Sequence, residues 1–270
     1  MTMSKNFLSE IIDNKLEEIR ERRNINPEHV LISRLDRVRP PRSLYKALRT
    51  VNTVGVIAEV KRRSPSKGDL NTTLDPVWMA RVYQNARASA ISVLTDEKYF
   101  GGSLDDLRSV SSQVDIPVLR KDFILDEYQV VESRANGADA ILLIVRALTG
   151  GKLASLINAA SELGMDALVE VHDEEDVDLA LASGARLIGI NNRDLESFHT
   201  TIEVTQRLAP YIRDRANSEV LVISESGIFS RSDVESVQAA GADAVLVGEA
   251  LVVSGDPAKK IEELRGERRG

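Results

Sequence analysis

From residue 54 onward the sequence repeats one pattern eight times: a short apolar run, a turn and an amphipathic stretch. The runs are Val54–Val60, Ala90–Leu94, Pro117–Leu119, Ala138–Val145, Ala167–Val171, Leu187–Ile190, Val220–Ile223 and Ala242–Val247. They are apolar nearly throughout, without the alternation of a half-exposed sheet, so both faces of each strand should be buried. Between them, Asp75–Ala86, Ser103–Val114, Asp126–Asn136, Leu153–Leu163, Glu174–Ala182, Ile202–Tyr211 and Ser232–Ala240 have helical spacing. Strands alternating with helices over roughly 200 residues predict an α/β protein of the (β/α)8 TIM-barrel class. An open doubly wound sheet is the alternative. It ordinarily begins with a glycine-rich turn after the first strand, where this chain has Lys61-Arg62-Arg63-Ser64-Pro65.

An internal echo fits the barrel. Asn136-Gly137-Ala138-Asp139 and Ala240-Gly241-Ala242-Asp243 lead into two of the runs, and Ser183-Gly184-Ala185 leads into a third. Each glycine falls where a helix ends in the left-handed conformation. The echo lies at the end of the barrel away from chemistry, so it speaks to stability.

Ahead of the repeat, Asn6–Arg23 reads as a helix with Phe7, Leu8, Ile11, Ile12, Leu16 and Ile19 on one face. Arg39-Pro40-Pro41-Arg42 breaks the chain, and a short helix over Leu44–Arg49 follows. The expected organisation is one domain: an N-terminal helical extension over 1–50 and a barrel over 51–270. The extension is expected near the barrel mouth, partly covering the ligand; a hydrophobic plug is the alternative.

Composition narrows the function. With no cysteine, disulfides, zinc–thiolate sites and iron–sulfur clusters are excluded. His29, His172 and His199 are too scattered for a histidine metal site, so no metal is expected. A formal net charge of −7 argues against a nucleic-acid partner but not against a local basic pocket for a small anion. No apolar run reaches membrane-span length and no signal sequence opens the chain, so a soluble cytoplasmic protein is expected. No obligate protein partner is evident, and no second domain is expected after the last strand and its helix.

In such a barrel chemistry sits where the strands end. Alternation puts Glu59 and Lys61 on one side of the first strand, away from Ala58 and Val60. The third ends in Arg120-Lys121-Asp122, costly to bury unless paired. The fifth embeds Glu170 among apolar residues, and the sixth ends in Asn191-Asn192-Arg193. A solvated charge cluster, or simple turn chemistry for the asparagines, would explain any one of these. Glu59, Lys61, Lys121, Glu170 and Asn191 on four strands point instead to acid–base work. A crowded lysine could have a lowered pKa and a glutamate in apolar surroundings a raised one. The last two strands end in Glu225-Ser226-Gly227 and Gly248-Glu249, loops that let backbone N–H groups approach a phosphate, with a short helix expected after the eighth strand.

Several strings, in order, resemble the indole-3-glycerol-phosphate synthase family: IAEVKRRSPSKG at 57–68, LTDEKYFGGS at 94–103, VLRKDFILDEYQV at 118–130, ADAILLIV at 138–145, LVEVH at 168–172, IGINNRDL at 188–195, SESGI at 224–228 and LVGEAL at 246–251. The resemblance runs from the first helix to about Ser254. It implies a cofactor-free enzyme of tryptophan biosynthesis that closes the indole ring of 1-(2-carboxyphenylamino)-1-deoxyribulose 5-phosphate with loss of carbon dioxide and water. By it, Lys121 is the general acid of ring closure, Glu170 serves the dehydration as base or acid, and Lys61 meets the substrate carboxylate and can protonate the leaving hydroxyl. Glu59 orients the lysines and Asn191 assists. Ser64, Ser226, Gly227, Gly248 and Glu249 surround the phosphate, Phe100, Phe123 and Leu142 line the aromatic part, Arg193 braces the site, and Glu225 joins the substrate-binding set. The residues alone also allow a sugar-phosphate isomerase, a Schiff-base aldolase or a catalytically silent binding barrel, since barrels share phosphate sites across chemistries.

Overall fold

The computed structural model describes residues 7–51, 53–65 and 67–266; Asn6, expected to open the first helix, lies outside them. Among the described residues, eight parallel strands close a barrel: β1 (Gly55–Val60), β2 (Ala90–Leu94), β3 (Val118–Lys121), β4 (Ala140–Ile144), β5 (Asp166–Val171), β6 (Leu187–Asn191), β7 (Leu221–Glu225) and β8 (Ala244–Val247). Each pairs with its neighbours in sequence, and β1 pairs with both β2 and β8. An antiparallel ribbon of Arg63–Ser64 with Gly68–Asp69 caps the loop after β1.

The helices are α1 (Phe7–Ile25), α2 (Glu28–Ile32), α3 (Leu44–Arg49), α4 (Pro76–Asn85), α5 (Glu97–Phe100), α6 (Leu104–Ser111), α7 (Glu127–Ala135), α8 (Gly150–Glu162), α9 (Glu174–Ala182), α10 (Glu203–Arg215), α11 (Arg231–Ala239), α12 (Glu249–Val252) and α13 (Pro257–Arg265). Outward strand residues such as Val56, Ala58, Val60, Val169 and Val171 pack under the helices in the main core. Inward ones, Ile57, Leu119, Leu142, Leu168, Ile223 and Leu246, fill the barrel. This two-sided burial is why the runs carry no polar alternation.

Strand ends depart from the apolar runs in a consistent way. β3, β6 and β7 run on to Lys121, Asn191 and Glu225, beyond the last apolar residue. Ladder hydrogen bonds, not side-chain polarity, decide where a strand stops. At the other end, β4 and β8 start two residues later than their runs, because Ala138 and Ala242 belong to the turns. Gly137, Gly184 and Gly241 have φ of +88°, +82° and +114°, the left-handed helix ends expected. The aspartates of the echo have matching roles: Asp139 accepts the Val118 N–H and Asp243 the Val222 N–H, each tying down the preceding strand.

The N-terminal helices go to opposite ends of the barrel. Phe7, Leu8 and Ile11 of α1 face the cavity at the strands' carboxyl ends. In α3, Tyr45 donates its hydroxyl to the Glu219 carbonyl, and Asp166 accepts from Ser43 and the Tyr45 N–H. Leu44 and Leu48 are buried against the lower core. The cover and the plug are therefore separate helices, joined by a segment whose Arg39 and Arg42 both pair with the buried Asp139.

Candidate active site

Four charged side chains form a chain across the barrel mouth. Lys61 Nζ lies 2.7 Å from Glu59 Oε1, Glu59 Oε2 is 3.5 Å from Lys121 Nζ, and Lys121 Nζ is 2.8 Å from Glu225 Oε2. Strand alternation produces it: Ala58 and Val60 point to the helices, so Glu59 enters the lumen. Likewise Arg120 and Asp122 turn outward, where Arg120 pairs with Glu132 and Asp122, and leave Lys121 inside. Glu170 Oε1 accepts from Asn191 Nδ2 at 3.1 Å. Glu59, Lys61, Lys121, Glu170 and Asn191 thus meet in one cavity.

The electrostatics separate Glu59 from Glu225. For Glu59 burial pushes the pKa up, but Lys61 and Lys121 overcome it and bring it to about 2. For Glu225 burial dominates, and with the nearby Glu170 charge it raises the pKa to about 7 despite Lys121. Burial pulls Lys121 down, yet Glu225, Glu59 and Glu170 together hold it above the ordinary lysine value. A lysine crowded by cations would be lowered; Lys121 is ringed by carboxylates and moves the other way. Of the two shifts the sequence allowed, the raised glutamate is found at Glu225, while Lys121 remains a charged donor.

Two glycines make room for these groups. A Cβ on Gly189 would sit 2.0 Å from Glu225 Oε1, and one on Gly248 would sit 2.3 Å from Glu59 Oε1. Close approach of charged side chains to bare backbone explains glycine at both positions.

The phosphate-type loops lie beside this well. Ser226 and Gly227 have φ of +65° and +77°, so a non-glycine residue holds a left-handed backbone where β7 ends. Asn192 holds that turn: its amide donates to Ser224 Oγ and to the Glu225 and Ser226 carbonyls. Gly248 leads into α12, the short helix expected after β8. Glu249 lies 3.5 Å from Arg193 and 3.7 Å from Lys67. Arg193 is braced by Thr200, and its N–H donates to Asn191 Oδ1. Ser64 is buried in the ribbon and does not line the cavity, whereas its neighbour Pro65 does.

The opposite wall is apolar. Phe100 and Phe123 stand 6.4 Å apart, centroid to centroid, with Leu142 and Ile144 beside them. Phe7 meets Tyr99 and Phe198 edge to face at 5.5 and 5.3 Å. Phe7 and Phe198 were not distinguished as site residues in the sequence. Phe7 is one of several apolar positions on a helix face, and Phe198 lies in a loop with no periodic signal.

A closed parallel barrel that gathers lysines, glutamates and backbone anion sites at its strand ends defines an acid–base enzyme of the (β/α)8 class, built to take a small phosphorylated molecule. The chain belongs to the indole-3-glycerol phosphate synthase family, whose model matches residues 8–264. A relative of that name from Roseiflexus sp. (strain RS-1) is 47% identical over 266 residues, covering 96% of this chain and 98% of the relative. One from Carboxydothermus hydrogenoformans is 46% identical over 264 residues, covering 96% and 99%. One from Mycobacterium avium (strain 104) is 50% identical over 225 residues, covering 83% and 81%. Among solved structures, a 3-hexulose-6-phosphate synthase superposes with a TM-score of 0.58 at 17% identity, over 79% of this chain and 99% of that one, a likeness of fold. Among the described residues no helix is long and apolar enough to cross a membrane.

Proposed function

We propose that this protein converts 1-(2-carboxyphenylamino)-1-deoxyribulose 5-phosphate to indole-3-glycerol phosphate in tryptophan biosynthesis. The observation that carries the reading is the Lys61–Glu59–Lys121–Glu225 chain, set between an apolar wall and the anion-type loops of β7 and β8. The substrate has the same polarity, with a flat aromatic ring at one end and a phosphate at the other.

In this reading Phe100, Phe123 and Leu142 receive the ring, and the backbone at Ser226, Gly227, Gly248 and Glu249 receives the phosphate. Lys121 gives its proton to the substrate carbonyl oxygen as the carboxyl-bearing ring carbon attacks. A charged ammonium aimed at a developing alkoxide stabilises it before the proton moves. The new carbon–carbon bond forms, the carbon–carboxylate bond then breaks, and its electron pair restores the aromatic ring. Lys61, after holding that carboxylate, protonates the departing hydroxyl, and Glu170 takes the proton lost from the adjacent carbon. Glu59 keeps both lysines charged and in place, and Asn191 orients Glu170. Two protons are given and one is taken, so each turnover draws one proton from solvent.

The same reading treats residues 1–50 as an extension of a barrel over 51–270, with α1 roofing the aromatic end. The test is a fluorescence assay for indoleglycerol phosphate with wild type, Lys121→Ala and Glu170→Gln. Wild type should turn over, and each variant should lose about a hundredfold or more in kcat. Full activity of Lys121→Ala would sink the mechanism, and a borohydride-trapped lysine adduct would favour an aldolase.

A further inference from the structure

The imidazole of His172 is buried, and neither ring nitrogen makes a hydrogen bond within the chain. A polar ring in that position normally finds partners. Here it lies between two carboxylates. Its Nε2 is 3.4 Å from Glu170 Oε1, the oxygen that also accepts from Asn191. Its Nδ1 is 3.7 Å from Asp176 Oδ2. Asp176 is fixed independently, accepting the His172 backbone N–H at 2.9 Å and Arg146 Nε at 3.2 Å. Arg146 also reaches Asp173, the partly exposed N-cap of α9, at 2.6 Å. The charged groups facing the ring are therefore Glu170 from its own strand, Asp173 and Asp176 from α9, and Arg146 from the turn after β4. The file Glu170–His172–Asp176 runs from the cavity wall to the surface pair Asp173–Arg146.

We propose that His172 is a positioning residue that holds Glu170 and carries its proton to and from solvent. The inference rests on Glu170 being the base of the dehydration. On that reading the carboxylate acquires one proton per turnover and must lose it before the next. The carboxylic acid gives that proton to Nε2, and the proton on Nδ1 passes to Asp176 and out to water. Glu170 returns to the carboxylate, and imidazole and Asp176 end unchanged in charge. The Nδ1–H form is restored by exchange with water. The ring nitrogens stand slightly beyond hydrogen-bond reach of both carboxylates, a separation that a substrate seated against Glu170 closes.

The test compares wild type, His172→Gln, His172→Ala and Glu170→Gln in steady-state kcat, KM and pH profile, with and without added imidazole. Glutamine keeps a polar amide beside Glu170 but cannot carry a proton. The expected result is a rate about tenfold lower in His172→Gln with KM within about twofold, and a pH profile that has lost one ionisation. Free imidazole should restore His172→Ala toward the wild-type rate. A wild-type rate and pH profile in His172→Gln, or failure of imidazole to rescue a folded His172→Ala, overturns the proposal. Full activity in Glu170→Gln instead removes the underlying role of Glu170, so the two failures are told apart.

Discussion

At Glu225 an enclosed carboxyl has one oxygen on Lys121 and the other, without a hydrogen-bond partner, against the bare backbone of Gly189. Burial raises its pKa to about 7, above the ordinary glutamate value of 4.5. Between those values the folded chain holds a proton that the unfolded chain has lost. The stabilisation is thus fully present below 4.5 and disappears as pH rises through about 7. Wild type should be more resistant to denaturant near pH ~5.5 than near pH ~8, by on the order of 2 kcal/mol, and Glu225→Gln should lose that difference. Equal pH sensitivity in the two proteins would show that Glu225 is not the group responsible. Gly189→Ala tests the same contact sterically. The added methyl must push Glu225 off Lys121, so kcat should fall about tenfold or more while the circular dichroism spectrum stays native. Unchanged kcat would mean that the Glu225–Lys121 pair is not needed for turnover.

Helix α1 is held to the barrel by a charge cluster that its apolar periodicity does not announce. Lys15, only 1% exposed, contacts Glu18 at 2.8 Å and both Asp96 and Asp122 at 2.9 Å. Asp122 bonds Arg120 and Thr95 as well, so the helix is fastened to the residue that follows Lys121. Lys15→Met leaves the buried Asp96 without its cation and Asp122 with Arg120 alone, a loss of about 3–5 kcal/mol. Because the same helix carries Phe7, Leu8 and Ile11 to the cavity, KM should also rise. Denaturant midpoints and steady-state kinetics on one preparation check both, and an unchanged KM would separate α1 from substrate binding. The helix itself was legible from the spacing of Phe7, Leu8, Ile11 and Ile19. Its anchor was not, since Lys15 lies among the charged residues of a sequence that looks solvated, and only the meeting of three distant segments makes it a buried ion pair. In the same way the strand runs stopped short of Lys121, Asn191 and Glu225, because apolarity marks what is packed and not how far a ladder extends.

For the whole molecule, the closed barrel was legible because burial on both strand faces leaves unbroken apolar runs at regular spacing. The placement of Glu59, Lys61, Lys121 and Glu170 followed from the rule that chemistry sits at strand ends. That Glu59 serves both lysines was expected from the family resemblance; the second partner of Lys121, Glu225, was not, because it comes from β7, far from β3 in sequence. Nor was the direction of the Lys121 shift, which depends on counting the carboxylates around it. In the function proposed above, this charge chain drives ring closure with loss of carbon dioxide and water. The most direct measurement follows carbon dioxide release and the indole chromophore together, on purified wild type and Lys121→Ala given 1-(2-carboxyphenylamino)-1-deoxyribulose 5-phosphate. Wild type should give equal amounts of both products, and the variant almost none of either. Carbon dioxide without indole, or full yield from Lys121→Ala, would contradict that function.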